Sequence, residues 1–101
     1  MPLTSKQRSQ LRGLASTEDT IIYIGKGDLN DNIIRQTADA LKARELIKGK
    51  VQENSMLSPR GAAEMLAEAT KSEVVQVIGS KFVLYKRNEQ DPKIELVKTK
   101  K

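Results

Sequence analysis

The chain has 101 residues, with 18 Lys+Arg against 13 Asp+Glu, a formal net charge of +5, and neither Cys nor His. One domain of this size buries roughly 60–70% of its unfolded surface and folds without disulfides or metal. The missing residue types exclude thiolate and imidazole metal sites and any Cys–His or Ser–His catalytic pair, and the lack of Cys fits a reducing compartment. No apolar run approaches the roughly 18–20 residues of a membrane span, and Met1-Pro2-Leu3-Thr4-Ser5-Lys6 lacks the apolar core of a secretory signal. A soluble, cytoplasmic protein is expected.

In chain order, Thr4 or Ser5 caps a first helix that runs to about Leu14, with Leu11 and Leu14 inward and Gly13 near its end. Arg8 and Arg12 fall four residues apart on one face, either a solvated pair or a pair spaced for adjacent phosphates. Thr20–Ile24 is a short, β-branched run that reads as a buried strand. It ends at Gly25-Lys26-Gly27-Asp28, and a helical pattern begins near Asn30. A strand, a glycine-rich turn carrying a lysine and a helix N-terminus can hold a phosphate: glycines admit close backbone approach, and first-turn N–H groups supply donors. Four residues also build ordinary turns.

The second helix is capped by Asn30, with Leu29 and Ile34 as a hydrophobic staple. Its inward stripe is Ile34, Ala38 and Leu41, flanked by Ile33 and Thr37, and Asp31, Arg35 and Asp39 form a solvent ladder. Leu46–Val51 is a strand with Ile47 and Val51 on one side and Lys48 and Lys50 on the other. Ser58-Pro59 opens a third helix that ends about Thr70-Lys71, with Ala62, Leu66, Ala69 and Met65 on its buried face. Val74–Ile78 and Phe82–Tyr85 are strands joined across Gly79-Ser80-Lys81 in a hairpin. Beyond Asn88 a loose tail is expected, giving a globular unit over 1–88 and a basic tail over 89–101.

The order α-β-α-β-α-β-β predicts a compact α/β domain with a four-stranded mixed sheet, right-handed crossovers and helices packed on it. Positive charge falls in segments: Lys6, Arg8 and Arg12 near the start, and Lys81, Lys86 and Arg87 near the end, with no acid between them in either stretch. That pattern fits a polyanionic partner.

Four segments, Gln10-Leu11-Arg12-Gly13-Leu14-Ala15, Ile24-Gly25-Lys26-Gly27, Arg44-Glu45-Leu46-Ile47-Lys48 and Val75-Gln76-Val77-Ile78-Gly79 with Val83-Leu84-Tyr85, carry a family resemblance. From about Leu3 to Arg87 the chain resembles the CRM domain, and within it the stand-alone bacterial YhbY type. The resemblance implies a KH-like GxxG loop and a fold similar to the C-terminal domain of the third bacterial translation initiation factor. It also implies RNA binding, with ribosomal RNA or precursors of the large (50S) subunit as partners and a role in ribosome biogenesis.

On that expectation Gly25, Lys26, Gly27 and Asn30 contact the RNA backbone, and Arg8, Arg12, Lys81, Lys86 and Arg87 extend the footprint. No cofactor, metal, membrane or small-molecule substrate is expected, and the protein is expected to be monomeric. An enzyme is not: Asp28 beside Lys26 is a single carboxylate, poor ligand density for Mg²⁺. The alternative is a protein-interaction module of a ribosome-associated or RNA-processing complex without direct RNA contact, which predicts an exposed apolar patch rather than a basic face. The chain departs from GxxG at its last position, where it has Asp28. Asp28→Gly removes a negative charge from the phosphate path, so RNA affinity is expected to rise a few-fold in a binding titration. Weaker binding by a stably folded variant would show that the aspartate orders the loop instead.

Overall fold

The computed structural model describes residues 3–26 and 29–96. Its elements are α1 (Ser5–Ala15), β1 (Thr20–Ile24), α2 (Asp31–Arg44), β2 (Leu46–Val51), α3 (Pro59–Thr70), β3 (Glu73–Ile78) and β4 (Lys81–Tyr85). Each helix begins where a side-chain oxygen accepts an orphan backbone N–H. Thr4 forms a reciprocal capping box with Gln7, Asn30 accepts from Ile33, and Ser58, followed by Pro59, accepts from Gly61.

The strands form one mixed sheet in the order β1-β2-β4-β3. β2 runs parallel to β1 and antiparallel to β4, and β4 is antiparallel to β3, so the hairpin strand β4 fits between β2 and β3. Hence α2 links neighbouring parallel strands, whereas α3 passes over β4. The hairpin turn itself is Gly79-Ser80, with Gly79 at φ +57°, a conformation that favours glycine.

Helices cover both sides of the sheet. On one side, α2 and α3 enclose Ile22, Ile24, Ile47, Val51, Phe82 and Leu84 together with Leu41, Ala62, Ala63 and Leu66. On the other, α1 places Leu11 and Ala15 on Leu46, Val75, Val83 and Tyr85. Gly49 is on the α2/α3 side, and a Cβ there would stand 2.4 Å from the Phe82 ring, so the ring takes the volume of the missing side chain. Tyr85 is buried and its hydroxyl finds no hydrogen-bond partner among the described residues; loss of solvation, then the Glu45 carboxylate, raises its pKa despite an opposing effect of Arg87.

The inward faces depart from the expected ones in a consistent way. Leu14 is 42% exposed and Leu11 and Ala15 make the buried face of α1. In α2 Ala38 is exposed and Thr37 is fully buried; in α3 Ala69 and Met65 are exposed and Ala63, Ala67 and Thr70 are buried. Both buried threonines donate to a carbonyl four residues earlier, Thr37 Oγ1 to Ile33 O at 2.8 Å and Thr70 Oγ1 to Leu66 O at 2.7 Å. A hydroxyl satisfied by its own helix can sit inside, so apolar identity alone mislocates the stripe.

The segment after β4 also differs from the expected loose tail. Ile94 and Leu96 pack against the α1-side core. They are held there by Glu45, which is fully buried at the end of α2. Its carboxylate accepts backbone N–H bonds from Asn88 (2.7 Å), Lys93 (2.8 Å) and Ile94 (2.6 Å), and its own carbonyl accepts from Lys86 N at 2.9 Å. Residues 97–101, with the remaining tail lysines, lie outside the described residues.

Glu45→Gln keeps the shape but replaces one acceptor oxygen by a donor that faces a backbone N–H. Stability is expected to fall by about 2–4 kcal/mol, since charge-assisted bonds are lost and a donor is left unpaired. Thermal unfolding should show a midpoint lower by roughly 10 °C or more. An unchanged midpoint would mean that the segment over 88–96 is held by packing alone.

Candidate nucleic-acid interface

The end of the sheet where β1 and β2 finish is a tied junction. Gln52 N donates to Ile24 O at 2.8 Å, and Val51 N donates to Ser80 O at 2.8 Å, which links the ends of β1 and β2 and the β3–β4 turn. Gly25 and exposed Lys26 continue from β1 at this junction. A Cβ on Gly25 would come within 2.7 Å of Gln52 Oε1 and 3.4 Å of Asn54 Oδ1, so glycine here admits the β2–α3 loop. The Gln52 side chain is flexible and exposed, so this packing demand on Gly25 is mild.

The helix start following the turn is well defined. Asn30 Oδ1 accepts from Ile33 N at 2.9 Å and Asn30 O from Ile34 N at 3.0 Å. The Asn30 side-chain oxygen is thus committed to the cap, and any anion at this point would meet first-turn amides beside Asp31. Gly27 and Asp28 lie outside the described residues.

Of the other expected contacts, Lys81 joins this end and three do not. Lys81 begins β4 opposite Lys50, at the Gly25–Lys26 end. Lys86 and Arg87 follow Tyr85, which pairs with Leu46 at the opposite end, roughly 13 Å away along β4. Arg8 turns onto the β3 backbone, donating to Val74 O and, at 3.5 Å, to Val75 O. Its guanidinium helps to fix α1 to the sheet.

Arg12 is exposed, donates to Ser9 Oγ at 2.9 Å, and reaches a groove of about 300 Å³ between the end of α1 and the sheet. The same groove is lined by Lys48, Lys81, Gln76 and Ile78. Sequence reasoning placed Lys48 and Lys50 on the correct side of β2 without assigning them to a site. Their alternation was visible; the missing signal was that α1 leaves this half of the sheet uncovered. None of the ion pairs among the described residues, Arg44–Glu18, Arg60–Glu64 and Lys93–Asp91, involves Lys26, Lys48, Lys50 or Lys81. Among the described residues no cluster of three or more acidic side chains could hold a metal ion, and no helix is long and apolar enough to cross a membrane.

The model of the CRS1/YhbY (CRM) domain matches residues 3–86. This chain belongs to that family. A CRM relative in Bacillus subtilis (strain 168), named "Probable RNA-binding protein YqeI", is 45% identical over 94 residues, covering 93% of this chain and 98% of the relative. A Haemophilus influenzae relative named "RNA-binding protein" is 32% identical over 94 residues, covering 93% of this chain and 94% of the relative. The solution structure of the Staphylococcus aureus hypothetical protein SAV1595 superposes with a TM-score of 0.79 at 48% identity, covering 95% of this chain and all of that one.

If this CRM domain uses the Gly25–Lys26 end, Lys26→Ala should weaken RNA binding roughly tenfold, the worth of one charge-assisted contact. Arg87→Ala, at the far end, should have a smaller effect. Because Lys26 is exposed, the melting temperature should stay unchanged; equal effects of the two variants would place the interface elsewhere.

Proposed function

We propose that this chain binds RNA through the basic surface at the Gly25–Lys26 end of the sheet and acts on ribosomal RNA during assembly of the large ribosomal subunit. The observation that carries this reading is the side of the sheet left partly open by α1. Lys48 and Lys50 of β2, Lys81 of β4 and Arg12 of α1 gather there, next to the turn that bears Lys26. Of the strand residues only Glu73 is acidic, and it pairs with Tyr85 at the opposite end. Membership of the CRM family and relatives named as RNA-binding proteins support RNA as the partner. The GxxG-type loop is the family feature expected to clamp the backbone, with Gly25, Lys26 and Gly27 approaching phosphate.

The mechanism is binding by charge and shape. Lysines on strands whose ends are tied by backbone hydrogen bonds meet phosphates with little rearrangement, and the released counterions drive association. The alternative, a protein-docking module, gains less support: among the described residues Leu14, Tyr23, Met56, Met65 and Ile78 are the exposed large apolar side chains, and they are distributed over α1, β1, the β2–α3 loop, α3 and β3.

Binding to ribosomal RNA fragments should weaken about 50-fold between 50 and 200 mM salt, corresponding to three or four phosphates neutralised. Titrations at several salt concentrations check this, and a flat dependence would remove the electrostatic mechanism. Co-sedimentation of the protein with precursor large subunits, and not with small ones, is the expected outcome for the ribosomal assignment.

A further inference from the structure

The strand registers place four side chains in one row on the α1 side of the sheet. Tyr23 of β1 pairs with Lys50 of β2, Lys50 with Lys81 of β4, and Lys81 with Ile78 of β3. Their side is fixed by alternation, since Ile22, Ile24 and Val51 are all in the opposite core. Tyr23 is 49% exposed and Ile78 63%, so the row is open to solvent. Lys48 and Gln76, each paired into the next row, line the groove beneath it with Arg12.

This row is arranged against stability. Lys50 and Lys81 face each other directly across an antiparallel pair, about 5 Å apart at their Cα atoms, where like charges repel. No acid on the strands compensates them, and among the described residues neither lysine takes part in an ion pair. A half-exposed tyrosine next to paired lysines offers a stacking surface followed by two cations, the two elements that hold a single-stranded nucleic acid.

We infer that this row is a binding surface for an unpaired RNA segment, resting on the RNA-binding reading above. The strand crosses the sheet edge to edge, from β1 toward β3. One base stacks on Tyr23, successive phosphates lie on Lys50 and Lys81, and the apolar rim at Ile78 takes the next nucleotide. The Gly25–Lys26 turn is adjacent to the Tyr23 end of the row, so turn and row form one continuous path. The surface thereby selects unpaired nucleotides, because a base inside a duplex cannot reach Tyr23.

The test uses a fluorescein-labelled 12-nucleotide oligouridine and a 12-base-pair RNA duplex, with the full chain and its variants. Tyr23→Ala should weaken oligouridine binding by fivefold or more, leave duplex binding within twofold, and be rescued by Tyr23→Phe. The double variant Lys50→Gln/Lys81→Gln should lose about tenfold for oligouridine and reduce the log–log salt slope by about 1.4. Its melting temperature should be unchanged or higher, because a repulsive pair is removed.

Oligouridine binding that is intact in these variants but lost in Lys26→Ala would overturn the row and leave RNA binding by the turn standing. Equal losses for duplex and oligouridine in Tyr23→Ala would overturn the selection of unpaired nucleotides. Wild-type protein that binds neither RNA would overturn both readings.

Discussion

The buried carboxylate of Glu45 is the constraint on which the arrangement of layers depends. α2 must end and β2 begin with no intervening loop, and Glu45 makes that corner at φ 67°, ψ −37°, a conformation costly for a residue with a side chain. The same residue holds the amides of Asn88, Lys93 and Ile94, so the chain beyond β4 folds back and lays Ile94 and Leu96 beside α1. Three N–H dipoles stabilise the buried charge and offset the strain of the corner. Fixing the end of α2 sets where β2 starts, and β2 is bonded to both β1 and β4. The register of the basic residues is inherited from that corner.

Much of this was legible in the residues. Caps at Thr4, Asn30 and Ser58, the lengths of the apolar runs and the Gly79-Ser80 turn determine the element order because each is a local signal. What was not legible is tertiary. Leu14, Ala38 and Ala69 look like core residues and face outward, while Thr37 and Thr70 look polar and are buried through bonds to their own helices. Glu45 looks like an ordinary charged helix end; its three partners are more than 40 residues away in sequence. The segment over 88–96 carries few apolar residues, so nothing local showed that it would be held.

The candidate surface was partly legible for the same reason. Lys26, Asn30 and Lys81 stand at one end of the sheet, as the strand–turn–helix pattern and the hairpin imply. Lys86 and Arg87 are close to Lys81 in sequence, yet an extended strand carries them to the opposite end. Arg8 and Arg12 are one helical turn apart, but Arg8 is bonded to β3 carbonyls while Arg12 lines the groove. Charge clustering along a chain is therefore a poor guide to clustering in space when strands intervene. The alternation of Lys48 and Lys50 along β2 is the better guide, because period-two patterning fixes a side of the sheet.

The most direct measurement is a titration of ¹⁵N-labelled protein with RNA, followed amide by amide in NMR spectra. A surface formed by the turn, β2 and the start of β4 predicts that shifts concentrate at Arg12, Lys26, Lys48 to Val51 and Ile78 to Lys81, with Lys86, Arg87 and the outer faces of α2 and α3 unmoved. Shifts centred on Lys86 and Arg87, or spread evenly over α2 and α3, would contradict the account.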